Sequence, residues 1–226
     1  MNCLWCDQEI ILEISWENIF ILPMPKQLCA LCEGDLELLQ GKRCHKCSRM
    51  TKDRICSDCA SWSNDEQKDP LVSNYSIFTY NEQMQAMIAK WKYRGDYVLA
   101  NAFKIHVSEL FIKQFTHLTK NLIIVPIPLS KERIKERGFN QAKVLASFLP
   151  IKSQEIMTRV HSEKQSKKTR HERISTKNPF KVNGKVNKTV ILVDDIYTTG
   201  TTLRHAASVL RKNGCPEVYA YTLIRG

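Results

Sequence analysis

Two groups of residues in this sequence are spaced for chemistry. The first is a set of four C-x-x-C pairs within the first 59 residues: Cys3 and Cys6, Cys29 and Cys32, Cys44 and Cys47, and Cys56 and Cys59. Two thiolates at that spacing curl round one face of a metal ion, and two such pairs complete a closed tetrahedral site of the structural zinc kind. Eight ligands predict two Zn2+. Successive pairs enclose 22 and then 8 residues, which bracket the usual ribbon spacing. Sequential sites are expected (Cys3, Cys6, Cys29, Cys32 and Cys44, Cys47, Cys56, Cys59), with an interleaved cross-brace as the alternative and His45 as a remote substitute ligand. A redox role would call for one such motif beside a βαβ unit, not four. The ninth cysteine, Cys215, reads as a small buried thiol.

The second group is VILVDDIYTTGTTL, residues 190–203. Its apolar run fits a central parallel strand that delivers Asp194 and Asp195 to the rim of a sheet, where ligands of such sheets bind. Thr198, Thr199, Gly200, Thr201 and Thr202 then open a helix whose free N–H groups and dipole favour an anion. Two carboxylates beside a phosphate must address something else, either hydroxyl groups or a bridging Mg2+. A sugar phosphate offers both. The magnesium strand of a P-loop nucleotidase is the competing interpretation, but the chain has no G-x-x-x-x-G-K-[ST]. Simple helix capping by threonine accounts for one of the four threonines.

The elements that must position these residues follow from pattern. Residues 74–80 read as a strand, and 81–93 as a helix with Met84, Met87, Ile88 and Trp91 on one face, broken at Arg94-Gly95. A second helical pattern carries Leu99, Phe103, Val107, Leu110 and Phe111. From there strands (122–128, a short one near 155–157, 190–193, 218–224) alternate with helices (140–149, 201–212). This is the pattern of an open parallel sheet covered by helices. Polar residues 61–70 form a linker, so the expected domains are a Cys-rich zinc-ribbon-like unit over 1–63 and an α/β unit over 71–226. Residues 9–22 supply two short strands for the ribbon. The composition is that of an ordinary soluble globular chain, with 43% hydrophobic and 25% charged residues. No basic-then-apolar leader opens it and no apolar run has the ~18 residues of a membrane span, so a cytoplasmic location is expected. The formal charge of +11 falls to about +7 once two tetrathiolate zinc sites are counted, and such a balance favours polyanionic partners.

VILVDDIYTTGTT resembles the PRPP motif of type I phosphoribosyltransferases. That resemblance implies that Asp194 and Asp195 hold the ribose hydroxyls of PRPP and that residues 198–202 hold its 5′-phosphate. It also implies a pyrophosphate loop after an earlier strand, matched here by Pro128, Leu129, Ser130, Lys131 and Arg133, with Mg2+ accompanying PRPP. With KYRGD (92–96), VPIPLS (125–130) and ERGFNQA (136–142), the chain resembles the ComF/ComFC competence family over nearly its whole length. Membership implies a phosphoribosyltransferase-like α/β fold behind a zinc region. It further implies a role with incoming single-stranded DNA in natural transformation, beside a ComFA-type helicase partner.

Residues 158–173 are strongly basic. By position they match the flexible loop that closes over PRPP in the enzymes, where cations would meet departing pyrophosphate. Lys164, Lys167, Lys168, Arg170 and Arg173, with Arg137, could instead follow a nucleic-acid backbone, or form only a solvated charged loop. The sequence after the last strand leaves no hood for an acceptor base, so binding of PRPP without transfer is expected ahead of an active phosphoribosyltransferase.

Overall fold

A computed structural model of the chain describes residues 1–11, 26–63, 69–118, 121–160 and 178–226. The ribbon strands expected over 9–22 fall outside the described residues from position 12 onward. A four-stranded sheet forms the centre: β1 (Asn74–Thr79), β2 (Leu122–Pro126), β5 (Thr189–Tyr197) and β6 (Val218–Arg225), in the order β1-β6-β5-β2 with every pair parallel. The β-branched run of β5 explains its central place. Val190 and Leu192 enter one core and Ile191 and Val193 the other, so both faces are covered, as a parallel sheet requires.

Helices α3 (Glu82–Tyr93) and α4 (Lys104–Phe115) cover one face. Met84, Met87, Ile88 and Trp91 are buried there, as their spacing predicts. Asn81 caps α3 by accepting from the Met84 N–H, and Gly95 follows its end at a φ of +69°. Helix α7 (Thr201–Lys212) covers the other face through Leu203, Ala206, Ala207 and Leu210. Where one helix was expected, residues 97–115 divide into a 3-10 helix (Tyr97–Phe103) and α4. Lys131 and Arg133, expected in the pyrophosphate loop, lie on helix α5 (Lys131–Arg137), capped by Ser130 and closed by Gly138 in the left-handed region. Helix α6 (Gln141–Ser147) follows. The short strand near residue 157 is β3 (Met157–Arg159), which pairs antiparallel with β4 (Phe180–Val182) outside the main sheet.

The cysteine-rich segment is built into this core. Residues 37–39 pair with the edge of β1, Leu39 N–H donating to Ile77 O at 2.8 Å and Thr79 N–H to Glu37 O at 3.0 Å. Asn74 N–H donates to Lys46 O, so the exposed ladder of an edge strand is covered. Cys3 and Cys32 join the core on the α3/α4 face, and Cys44, Cys47, Cys56 and Cys59 join that on the α7 face. Helices α1 (Ala30–Gly34) and α2 (Ser57–Ser63) each start at the second pair of a cysteine group. The expected linker therefore begins as helix, up to Ser63.

Candidate functional site

Strand β5 does not stop at Val193 but runs on through both aspartates to Tyr197. The pleat sends Asp194 and Asp195 to opposite faces, and their surroundings differ accordingly. Asp195 forms an ion pair of 2.6 Å with Lys92, both side chains nearly buried. Lys92 comes from the last turn of α3, so KYRGD is tied physically to the second aspartate. Among the described residues Asp194 has no such partner: burial, then the charge of Asp195, pushes its carboxyl up to about 7. The Asp195 N–H, donating at 2.9 Å, and the charges of Lys92 and Arg159 work the other way. Arg159, at the end of β3, is in turn within electrostatic reach of Arg133. Lys92 and Arg159 stood in the sequence only as members of KYRGD and of the basic run 158–173, with nothing there to say which carboxylate each would approach.

After Tyr197 the chain turns through Thr198, Thr199 and Gly200 into α7. Gly200 is the N-cap residue at a φ of +77° and has no side chain to cap with, while Thr199 Oγ1 accepts from the Thr201 N–H at 3.4 Å. Capping by Thr199 leaves Thr198, Thr201 and Thr202 without that explanation. The Thr199 and Thr201 hydroxyls lie 2.9 Å apart, and the other first-turn N–H groups are available to an anion. Beneath the turn, buried Arg204 donates through Nη1 to the Tyr197 hydroxyl at 2.7 Å and through Nε and Nη2 to Asp69 at 3.2 and 3.1 Å. Its guanidinium also lies 4.6 Å over the Trp62 ring. A Cβ at Gly200 would collide with the Tyr197 hydroxyl and the Arg204 guanidinium. Gly200→Ala should accordingly lower stability by about 2–3 kcal/mol in calorimetric unfolding, combining a left-handed backbone penalty with displacement of a buried pair. An unchanged melting temperature would show that the turn is not held from below.

Pro128, Leu129 and Ser130 are half-buried at the end of β2, and Lys131 and Arg133 are exposed on α5. The Ser130 hydroxyl accepts from the Arg133 N–H. Arg137 is buried, bonded to Gln141 Oε1 at 3.0 Å and set over the Tyr93 ring; it braces α5 and α6 rather than facing a solvated backbone. Lys164, Lys167, Lys168, Arg170 and Arg173 lie outside the described residues.

The cysteines form two groups in chain order, Cys3, Cys6, Cys29, Cys32 and Cys44, Cys47, Cys56, Cys59, with all four sulfurs of each within 4.8 Å of one another. The sequential pairing holds, and His45 belongs to neither group. A tetrahedral ion bound to thiolates at about 2.3 Å sets them about 3.8 Å apart. Cys6 and Cys29 are separated by 3.7 Å and Cys47 and Cys56 by 3.6 Å, so both donor sets fit such an ion. The groups are also built alike: Cys3 and Cys44 N–H donate to Gln8 and Arg49 O, Asp7 and Ser48 N–H donate back to Cys3 and Cys44 O, and Asp7 and Ser48 share a left-handed φ. This internal repeat is hidden in the sequence by unequal spacing between knuckles. A hydrogen bond from Cys59, with help from the Arg49 N–H and the Arg225 charge, holds the Cys47 thiol down to about 4.

A model of the phosphoribosyl transferase domain family matches residues 96–226. The competence protein ComFC of Bacillus subtilis is 39% identical over 228 residues, which cover 99% of this chain and 94% of that protein. The ComFC of Streptococcus pneumoniae is 30% identical, and the match covers all of both chains. The DNA utilization protein YhgH of Escherichia coli is 26% identical over 88% of this chain and 96% of its own.

Proposed function

Because the chain belongs to the ComF/ComFC competence family, we propose that it is a cytoplasmic protein that handles single-stranded DNA during natural transformation. It does so with a PRPP-binding pocket on a phosphoribosyltransferase fold and beside a ComFA-type helicase. The observation that carries this is the 39% identity to a competence protein over 99% of the chain. In the pocket, Asp194 and Asp195 take the ribose hydroxyls, the turn 198–202 takes the 5′-phosphate, and residues 128–133 take the pyrophosphate with Mg2+. Both cysteine groups hold Zn2+, which supplies cross-links that so small a module cannot obtain from its own core. Among the described residues no helix is long and apolar enough to cross a membrane.

The DNA role is tested by titrating a fluorescent single strand across a range of salt. Each neutralised phosphate contributes about 0.7 to the slope of log affinity against log salt, so four to six contacts give a slope of about −3 to −4. Undetectable or salt-independent binding would remove this role. Transfer of phosphoribose to an acceptor is the second reading, favoured by the phosphoribosyl transferase match over 96–226, and turnover of PRPP with any member of a nucleobase panel would establish it.

A further inference from the structure

Between the second cysteine group and the start of β1 lies a cleft of about 650 Å³, remote in function from the carboxylates of β5. Lys42, Arg43, His45, Lys52 and Arg54 line it, and Asp53 is the one acid in its wall. Lys42, His45, Lys52 and Arg54 are exposed. None of the four Lys and Arg side chains makes an ion pair among the described residues. A solvated charged face normally mixes signs evenly, whereas this one sets four Lys and Arg side chains against one carboxylate.

The cations are held, not merely present. Arg43 and Met50 bridge as antiparallel partners. Thr51 N–H donates to Lys42 O and His45 N–H donates to Arg54 O at 3.0 Å, so both basic stretches ride on one hairpin braced by Cys44 and Cys47. Such pre-ordering lowers the entropy lost when a partner binds. The Arg43 guanidinium stacks at 4.4 Å on the Tyr75 ring, which is itself stacked with Tyr221 at 6.0 Å between centroids. Arg43 Nη1 is buried with no hydrogen-bond acceptor among the described residues. An unpaired buried donor of this kind is costly to leave unmet, and a phosphate oxygen would meet it.

We propose that this cleft on the second cysteine module is a binding site for single-stranded nucleic acid, with Lys42, Lys52 and Arg54 on successive phosphates and Arg43 between a phosphate and a base. The cations lie on both strands of one hairpin along the cleft, an arrangement that suits a chain of phosphates. The guanidinium presents a flat face, and bases stack on such faces. The thiolate-metal group beneath is anionic, but the Arg225 guanidinium lies 3.9 Å from Cys47 Sγ and offsets it on the core side. Since β1 and β5 are separated by β6, two strand spacings of about 4.8 Å each, strand and sugar phosphate can be bound together.

The assignment rests on the single-stranded DNA role proposed above, and the test separates the two. A labelled 20-mer of thymidylate is titrated into wild type and into Lys42→Glu/Lys52→Glu/Arg54→Glu, all exposed positions, at several salt concentrations. The variant should bind at least 30-fold more weakly, its salt slope should be smaller in magnitude by about 2, and its metal content and PRPP affinity should equal those of wild type. If wild type binds and the variant lies within threefold of it, the cleft is not the interface although the DNA role stands; if wild type does not bind, both fall. Should the triple variant lose metal, Lys52→Gln/Arg54→Gln carries the same comparison, with an expected loss of at least fivefold and the same overturning result.

Discussion

Asp194→Asn and Asp195→Asn should each weaken PRPP binding at least 100-fold in calorimetric titrations with Mg2+, while their effects on stability should have opposite sign. Both changes keep side-chain size and remove a charged acceptor, so a ribose diol loses hydrogen bonds to an ionised carboxylate. Asn at 195 also leaves Lys92 nearly buried without its counter-ion, which destabilises the fold. Asn at 194 does the reverse. The Asp194 carboxyl is raised from 3.8 to about 7 by burial and by Asp195. Between those two values the folded chain keeps a proton that the unfolded chain releases, so stability falls as pH rises and the whole penalty is present above 7. A shift of three units corresponds to at most about 4 kcal/mol, and partial access of solvent to Asp194 reduces this to about 2. Asp194→Asn should therefore melt higher than wild type at pH 8, and its advantage should shrink at pH 6. Unchanged PRPP affinity in either variant would remove the ribose assignment, and a pH-independent stability difference would remove the account of Asp194.

The candidate site was legible in the sequence and its supports were not, for reasons of range along the chain. Residues 190–203 carry a period, two charges and a glycine, all local signals, and the strand and helix form there, although the strand runs four residues past its expected end at Val193. Lys92 becomes a partner of Asp195 only after α3 is laid on the sheet, across 103 positions of sequence. Arg204 likewise reads as one cation on an amphipathic helix, and only the fold buries it against Asp69, Tyr197 and Trp62. The polar stretch 61–70 has the composition of a linker, yet Asp69 is fixed by a bidentate guanidinium, a long-range effect that overrides local composition. The run KERIKER has the charge of a loop, but the Ser130 cap and Gly138 terminator mark it as a helix, and those signals were present to be read. The cysteines were legible as pairs because ligand spacing is local. Their assignment to opposite faces of the sheet was not, because it depends on which edge the chain covers.

That placement makes the two metal groups unequal, and the larger consequence falls on the second. Cys44, Cys47, Cys56 and Cys59 are all buried, whereas Cys6 is exposed and Cys29 only half-buried. From the second group, Ser48 Oγ bonds Asn74 O at 2.8 Å and accepts from Ser76 N–H at 3.1 Å on β1. Helix α2 places Trp62 against Arg204, whose remaining bonds hold Asp69 and the Tyr197 hydroxyl under the Gly200 turn. A metal held by the second group would thus brace the Gly200 turn, and its removal should loosen that turn. The first group reaches the α/β core through α3, where Gln83 Nε2 donates to Cys32 O, on the face away from α7. We expect Cys47→Ser and Cys6→Ser each to lower zinc from two per chain to one, but with different results. Cys47→Ser should cost at least 3 kcal/mol of stability, on the scale of a lost structural metal, and weaken PRPP at least tenfold. Cys6→Ser should cost about half as much and leave PRPP affinity within twofold. Elemental analysis, thermal unfolding and calorimetric titration on the same samples read all three quantities. Equal effects of the two substitutions on PRPP affinity would show that the path from the second metal group through Arg204 to the turn carries no free energy.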